Sequence, residues 1–307
     1  MKINLRNIGA WFYALYLIRI GKIKKAKSYT FNENLITSVY SHNPSKQLFE
    51  KCVKWFIKNG YEFISVEKLK EILINENIFP SSAVIFTIDD GWKNNVSNIV
   101  TIAEKYNIPV SIFTTTQPIL NGDAFWWSYI KKAHENKLIK NTVNDLKLIN
   151  DENRIKILEH IKLKIKLKGD AMSEEELIKI SKCKSISIGS HTITHPILTK
   201  CTDKKSKEEI LESKTILENC IRKKVIQFAY PNGNYSIREI NFLKESGYEI
   251  AFTTENSYIN KSHKNKIYEI PRFNIPENVS FAENICRMTG VWSEKSNLVT
   301  MIKKIWA

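Results

Sequence analysis

Short apolar runs alternate with helical patterns along most of this 307-residue chain, and that alternation restricts the fold more than any other feature. The runs occupy residues 35–42 (LITSVYSH), 83–92 (AVIFTIDDGW), 185–189 (SISIG), 225–233 (VIQFAYPNG) and 268–272 (YEIPR). Helical periodicity fills intervals at 46–59, 66–73, 94–106, 207–220 and 236–246. Strands alternating with helices imply parallel βαβ units, so the fold class is α/β. In such folds the loops at the carboxyl ends of the strands share one rim. Each run here carries a polar motif at its end, which gathers the candidate chemistry on that rim.

Asp89 and Asp90 close the most informative run. Adjacent carboxylates at a strand end repel, and such a pair is typically divided between two jobs, one ionised on a metal and the other free to move a proton. The competing reading makes one Asp the cap of a helix starting near Trp92 and leaves the other solvated. Beyond the run at 185–189 comes Ser190-His191-Thr192-Ile193-Thr194-His195-Pro196. Two histidines four apart can meet one divalent ion from one side of a turn, and His with carboxylate suits zinc or a similar transition metal. The chain has only six histidines, which makes the pair harder to dismiss. Gly189 before it and Pro196 after it favour a loop over a helical face. In the run at 225–233, Pro231 fixes the backbone and Gly233 permits an unusual one, so the amide of Asn232 could face a developing oxyanion. By itself, that run is more simply a strand followed by a Pro-Asn-Gly turn.

Thr-x-Asp-Asp-Gly, His-Thr-x-x-His-Pro and Phe-Ala-Tyr-Pro-x-Gly, in this order, resemble the motifs of the polysaccharide deacetylase family, carbohydrate esterase family 4. The resemblance runs over about residues 35–274. It implies a distorted (β/α) barrel and a metal-dependent deacetylase site. Carried over, Asp89 is the general base, Asp90, His191 and His195 bind the metal, and Tyr230, Pro231 and Asn232 form the substrate and oxyanion element. Three protein ligands leave a position open for water and the substrate carbonyl. Zinc is the expected ion, with nickel, cobalt or iron as alternatives.

Two positions depart from the common family pattern. Ala229 stands where many members carry the arginine that orients the base, and Arg272 in the IPRF segment is the substitute, expected to pair with Asp89 and keep it ionised. The usual C-terminal Leu-x-His motif is missing, and His263, the one histidine after His195, lies in a Lys/Asn/Ser-rich loop. SVYSH at residues 38–42 resembles instead the Tyr-His element of a rearranged subgroup that includes poly-N-acetylglucosamine deacetylases. There the strand bearing the acid comes first, so His42 becomes the candidate acid, although Ser41 separates it from Tyr40.

The length suits one barrel with an insertion. The expected organisation is an N-terminal helical segment (1–30), a barrel (31–277) with a helical insertion at about 121–172, and a helical tail (278–307). Phe125, Trp126 and Trp127 open the insertion and are expected to form a small core beneath its helices instead of stacking on sugar. The net charge of +15 attracts polyanions, anionic headgroups or phosphorylated glycolipids, and no nucleic-acid module is visible. The apolar stretch at 8–20 is too short to span a bilayer and lacks a cleavage site. It reads as a helix packed on the barrel or as an interfacial helix, as does a C-terminal helix expected at 298–306. Five cysteines without metal spacing read as reduced thiols in a cytoplasmic protein, with peripheral membrane contact open. The expected activity is removal of an N-acetyl group from an amino sugar in a glycan or its precursor, for bacterial surface polysaccharide. Removal of formyl or an O-acetyl ester, and a silent glycan-binding module, are the rivals.

Overall fold

The computed structural model describes residues 5–75 and 79–292. Among the described residues, eight strands make one sheet: β1 (Thr37–Ser41), β2 (Glu62–Phe63), β3 (Ala83–Ile88), β4 (Val110–Thr114), β5 (Ile186–Ser190), β6 (Gln227–Ala229), β7 (Ile250–Phe252) and β8 (Phe273–Asn274). Their order is β7-β6-β5-β4-β3-β1-β8, with β2 also on β3, and every pairing is parallel. The two ends of the sheet approach each other. Ile270 bridges Phe252 of β7, and three residues later Phe273 pairs with Val39 of β1. The sheet thus curls into a distorted (β/α) barrel whose seam is the segment 270–273.

Side-chain alternation along the strands decides what faces this interior. On β3, Val84, Phe86 and Ile88 join the large core under the surrounding helices, while Ala83 and Ile85 join an inner cluster with Phe113, Ala229, Ile250, Phe252 and Ile270. Thr87 continues the inner row, and so does Asp89 just beyond the strand. Period two therefore aims Asp89 into the barrel, at the carboxyl end, before any tertiary detail is added. Both faces of β3 are buried, as a parallel sheet covered by helices requires.

The helices expected from periodicity appear at Lys46–Lys58, Val66–Ile74, Asp203–Ile221 and Ile237–Glu245. The stretch after Asn94 differs in form: it includes a π-helical turn, Val96–Val100, before the α-helix Thr101–Tyr106. The run at 268–272 is corrected. Only Ile270 makes a bridge there, because Pro271 has no N–H for a ladder, and β8 begins after Arg272. β2, β4 and β7 lie outside the expected strands. β4 follows a helix with only a short Pro109-containing break, and β7 is three residues long.

Between β4 and β5, the stretch expected to be an insertion holds the helices Trp126–Glu135, Val143–Leu148 and Asp151–Lys164. Phe125, Trp126 and Trp127 are buried, but in the large core shared with the barrel and not in a small one of their own, and Trp127 also borders a cleft. The N-terminal helices Leu5–Arg19 and Lys22–Asn32 pack through Ala14, Leu17 and Ala26 on Cys286 and Val291, at the helix Phe281–Met288 and just after it. The C-terminal helix expected at 298–306 lies outside the described residues. No helix among them is long and apolar enough to cross a membrane.

Candidate metal and catalytic centre

Asp90 and Gly91 turn the chain off β3 with positive φ, 76° and 84°. Asp is one of the few non-glycine residues that enter the left-handed region, and the loop is held there from several sides. The N–H of Thr115 donates to the Asp90 carbonyl at 3.1 Å, and that of Met172 to the Gly91 carbonyl at 3.0 Å. A side chain at Gly91 would meet Thr114 at 3.1 Å, so both conformation and space favour glycine there. The indole N–H of Trp92 donates to Asp90 Oδ2 at 2.8 Å. Asp90 Oδ1 is buried and has no hydrogen-bond partner.

The histidine loop delivers its rings to that oxygen. Thr192 and His195 also have positive φ, 69° and 55°. Glu209, fully buried on the helix Asp203–Ile221, shapes the turn: its Oε2 accepts the N–H groups of Ile193 and Thr194 at 2.8 and 2.9 Å, and its Oε1 accepts the Thr194 hydroxyl at 2.7 Å. The Trp126 indole N–H donates to the His195 carbonyl at 3.1 Å. His191 Nδ1 lies 2.7 Å from the Ala229 carbonyl, which requires the proton on Nδ1 and leaves the Nε2 lone pair free. His191 Nε2 and His195 Nε2 each lie 3.6 Å from Asp90 Oδ1.

Those contacts are too long for hydrogen bonds. A tetrahedral ion with bonds of ~2.0–2.1 Å holds its ligand atoms roughly 3.4 Å apart, close to what these residues adopt. Asp90, His191 and His195 are the group among the described residues whose ligand atoms converge within 4.8 Å, and all three are buried. Burial lowers the pKa of His191 against the pull of Asp89 and Asp90, and burial with His191 nearby lowers that of His195 well below the usual imidazole range. Neutral imidazoles and an orphaned carboxylate oxygen fit a divalent cation.

Asp89 has a different environment. Arg272 is fully buried and grips it with two bonds, Nη1 to Oδ1 at 2.7 Å and Nη2 to Oδ2 at 2.9 Å. The same guanidinium donates to the Thr87 hydroxyl and the Thr253 carbonyl and lies 4.5 Å over the Tyr40 ring. Burial alone would raise the Asp89 pKa, but Arg272, with His191 beside it, reverses the direction, and the carboxyl is held below its ordinary value. The helix-cap reading of the Asp pair fails: one carboxylate is clamped by arginine and the other faces two imidazoles.

A cleft of about 530 Å³ opens over this centre, lined among others by His42, Asp90, Trp92, Trp127, His195 and Asn232. His42 is exposed, with its ring 5.6 Å from Tyr40, whereas His263 bonds Asn260 of its own turn and does not line the cleft. Asn232 reaches the cleft with φ 58°, its side chain held by Lys147 at 2.8 Å and Asn234 at 2.6 Å. Tyr230 and Pro231 are buried. The N–H of Tyr230 donates to the Phe252 carbonyl and its hydroxyl to the Tyr268 carbonyl, so Tyr230 supports the turn from beneath. Sequence reasoning missed Trp92, Glu209 and Lys147 and the second role of Trp127, whose ring meets His195 at 4.7 Å.

Residues 76–251 match the family model described as polysaccharide deacetylase. The chain belongs to the polysaccharide deacetylase family. YxkH of Bacillus subtilis (strain 168), described within the same family, is 23% identical over 232 residues, covering 76% of this chain and 66% of that protein. The chain thus spans just under two thirds of that curated relative. Among solved structures, the Streptococcus pyogenes deacetylase PplD aligns with a TM-score of 0.59 at 17% identity, over 83% of this chain and 98% of that one. IcaB from Ammonifex degensii aligns at 0.58 and 14% identity, over 82% and 97%. These likenesses show a shared fold.

Proposed function

We infer that the chain is a metal-dependent hydrolase that removes the N-acetyl group of an amino sugar in a glycan or glycan precursor. One observation carries this reading: two buried imidazole nitrogens converge on an unpartnered Asp90 oxygen beside an arginine-clamped Asp89, at the floor of a cleft. Asp90, His191 and His195 hold the ion, which the His/carboxylate set favours as zinc. When bound, a divalent ion there supplies Lewis acidity, making water a better nucleophile and an amide carbonyl a better electrophile. Asp89 accepts the proton of the attacking water, and Arg272 fixes the carboxylate in the ionised form that this requires. The Asn232 backbone N–H faces the charge that develops on the carbonyl oxygen. His42 donates a proton to the departing nitrogen as the C–N bond breaks, leaving acetate and a free amine. Surface-polysaccharide synthesis in the cytoplasm is the setting we assign.

The test is acetate release by purified protein from N-acetylglucosamine oligosaccharides, alongside elemental analysis. About one equivalent of divalent metal with acetate production is expected. His191→Ala and Asp90→Ala should lose metal and activity together. Full occupancy in both variants would remove the ligand assignment, and formate or no acid from any acylated sugar would remove the reaction.

A further inference from the structure

The N-terminal helix Leu5–Arg19 has two apolar sides, and the barrel uses one. Ala14 and Leu17 are buried against Cys286 and Val291. Leu5, Ile8, Phe12, Leu15 and Tyr16 follow three- and four-residue spacing along the opposite side, with Trp11 at its edge. All six are exposed, Leu5 by 90%, Phe12 by 60% and Tyr16 by 56%. A contiguous apolar stripe with three aromatic rings is not an ordinary solvent-facing surface. The helix has 15 residues and so measures roughly 22 Å, short of the ~30 Å a span requires.

Charge identifies what covers it. Residues 5–32 contain Arg6, Arg19, Lys22, Lys24, Lys25 and Lys27 and no Asp or Glu. Arg19 ends the helix on the exposed side, and exposed Lys24 and Lys25 follow across the Gly21 turn. A second copy docked on this stripe by two-fold symmetry would bring two all-basic segments together, which like charge opposes. An anionic lipid surface offers apolar depth for the aromatic side and negative headgroups for the lysines. We propose that the exposed side of the helix Leu5–Arg19, with the basic start of the next helix, is a docking surface for anionic bilayers. Asn7, on the buried side of this helix, donates to the carbonyl of Asn278, which lines the cleft, so the helix that docks also braces one wall of the cleft.

The full chain is tested by co-sedimentation with vesicles of phosphatidylcholine and phosphatidylglycerol in equal amounts, and with phosphatidylcholine alone. Binding to the mixed vesicles is expected, weakening with added salt. Lys24→Glu with Lys25→Glu should weaken it at least about tenfold. The triple variant Trp11→Ser, Phe12→Ser, Leu15→Ser should lose it while keeping the far-UV circular dichroism and thermal midpoint of the parent, because those side chains are exposed. Protein that stays in the supernatant with both vesicle types overturns the proposal. So does a triple variant that sediments like the parent, equal binding to uncharged vesicles, or a parent dimer that the triple variant dissolves in sedimentation velocity. Because the readout is binding, none of these outcomes depends on the deacetylase reading.

Discussion

Arg272 and Asp89 are 183 residues apart in the chain and meet inside the barrel through a two-pronged ion pair. Removing one partner of such a pair leaves a buried charge without compensation. Arg272→Ala should therefore destabilise the fold by about 3–5 kcal/mol, read by urea unfolding. Arg272→Lys keeps the charge but loses the planar fork and should fall between parent and alanine variant. Asp89→Asn separates base from ligand: the metal should stay at parental occupancy while turnover drops by about a hundredfold or more, since an amide cannot accept the proton. Loss of the metal in that variant would place Asp89 among the ligands. His42→Ala should slow hydrolysis of amides more than that of activated esters, whose leaving groups need no proton. Equal losses on both substrates would deny His42 the acid role.

At the scale of elements, the histidine loop is a turn cast on a helix. Glu209 satisfies two backbone N–H groups and one hydroxyl in the loop, and Lys205 one turn earlier lies 2.9 Å from its Oε1. Two of the loop's residues have left-handed φ, a conformation that costs energy unless neighbouring contacts impose it. Glu209→Ala should thus reduce metal affinity by about 10–100-fold without touching a ligand, measured by competition with a chromophoric chelator. Unchanged affinity would mean that the loop holds its shape without the glutamate. A glutamate in the middle of a Lys/Glu-rich amphipathic helix looks like solvated surface in the sequence, and only the contact across the loop distinguishes it.

For the whole molecule, the candidate centre joins the loops after β3 and β5, so an ion held there would tie together two loops that lie one strand apart in the sheet and far apart in the chain. A ligand that binds only the folded chain stabilises it according to its concentration over its dissociation constant. Chelation should lower the thermal midpoint of the parent by several degrees, and re-addition of metal should restore it. The midpoint of His191→Ala should not respond to either, and a response would mean that the stabilising ion binds elsewhere.

The sequence by itself determined the ends of β1, β3, β5 and β6 and therefore the part of the rim that carries the candidate site. Alternating apolar runs and amphipathic helices require parallel pairing, and period two already aims Asp89 inward. Asp90, His191 and His195 were legible as a candidate metal set because Asp90 and His191 sit just past the ends of two strands and His195 closes the loop after the second. What the tertiary structure alone decided concerns residues whose partners lie across the sheet. The curl that brings Ile270 against Phe252 and Phe273 against Val39 is what carries Arg272 from a Pro-interrupted run into the interior beside Asp89. The same folding buries Tyr230 while leaving Asn232 in the cleft, though the two are nearly adjacent in one motif. Local periodicity encodes direction and burial along one element, whereas the choice of partner depends on barrel closure, to which every strand contributes.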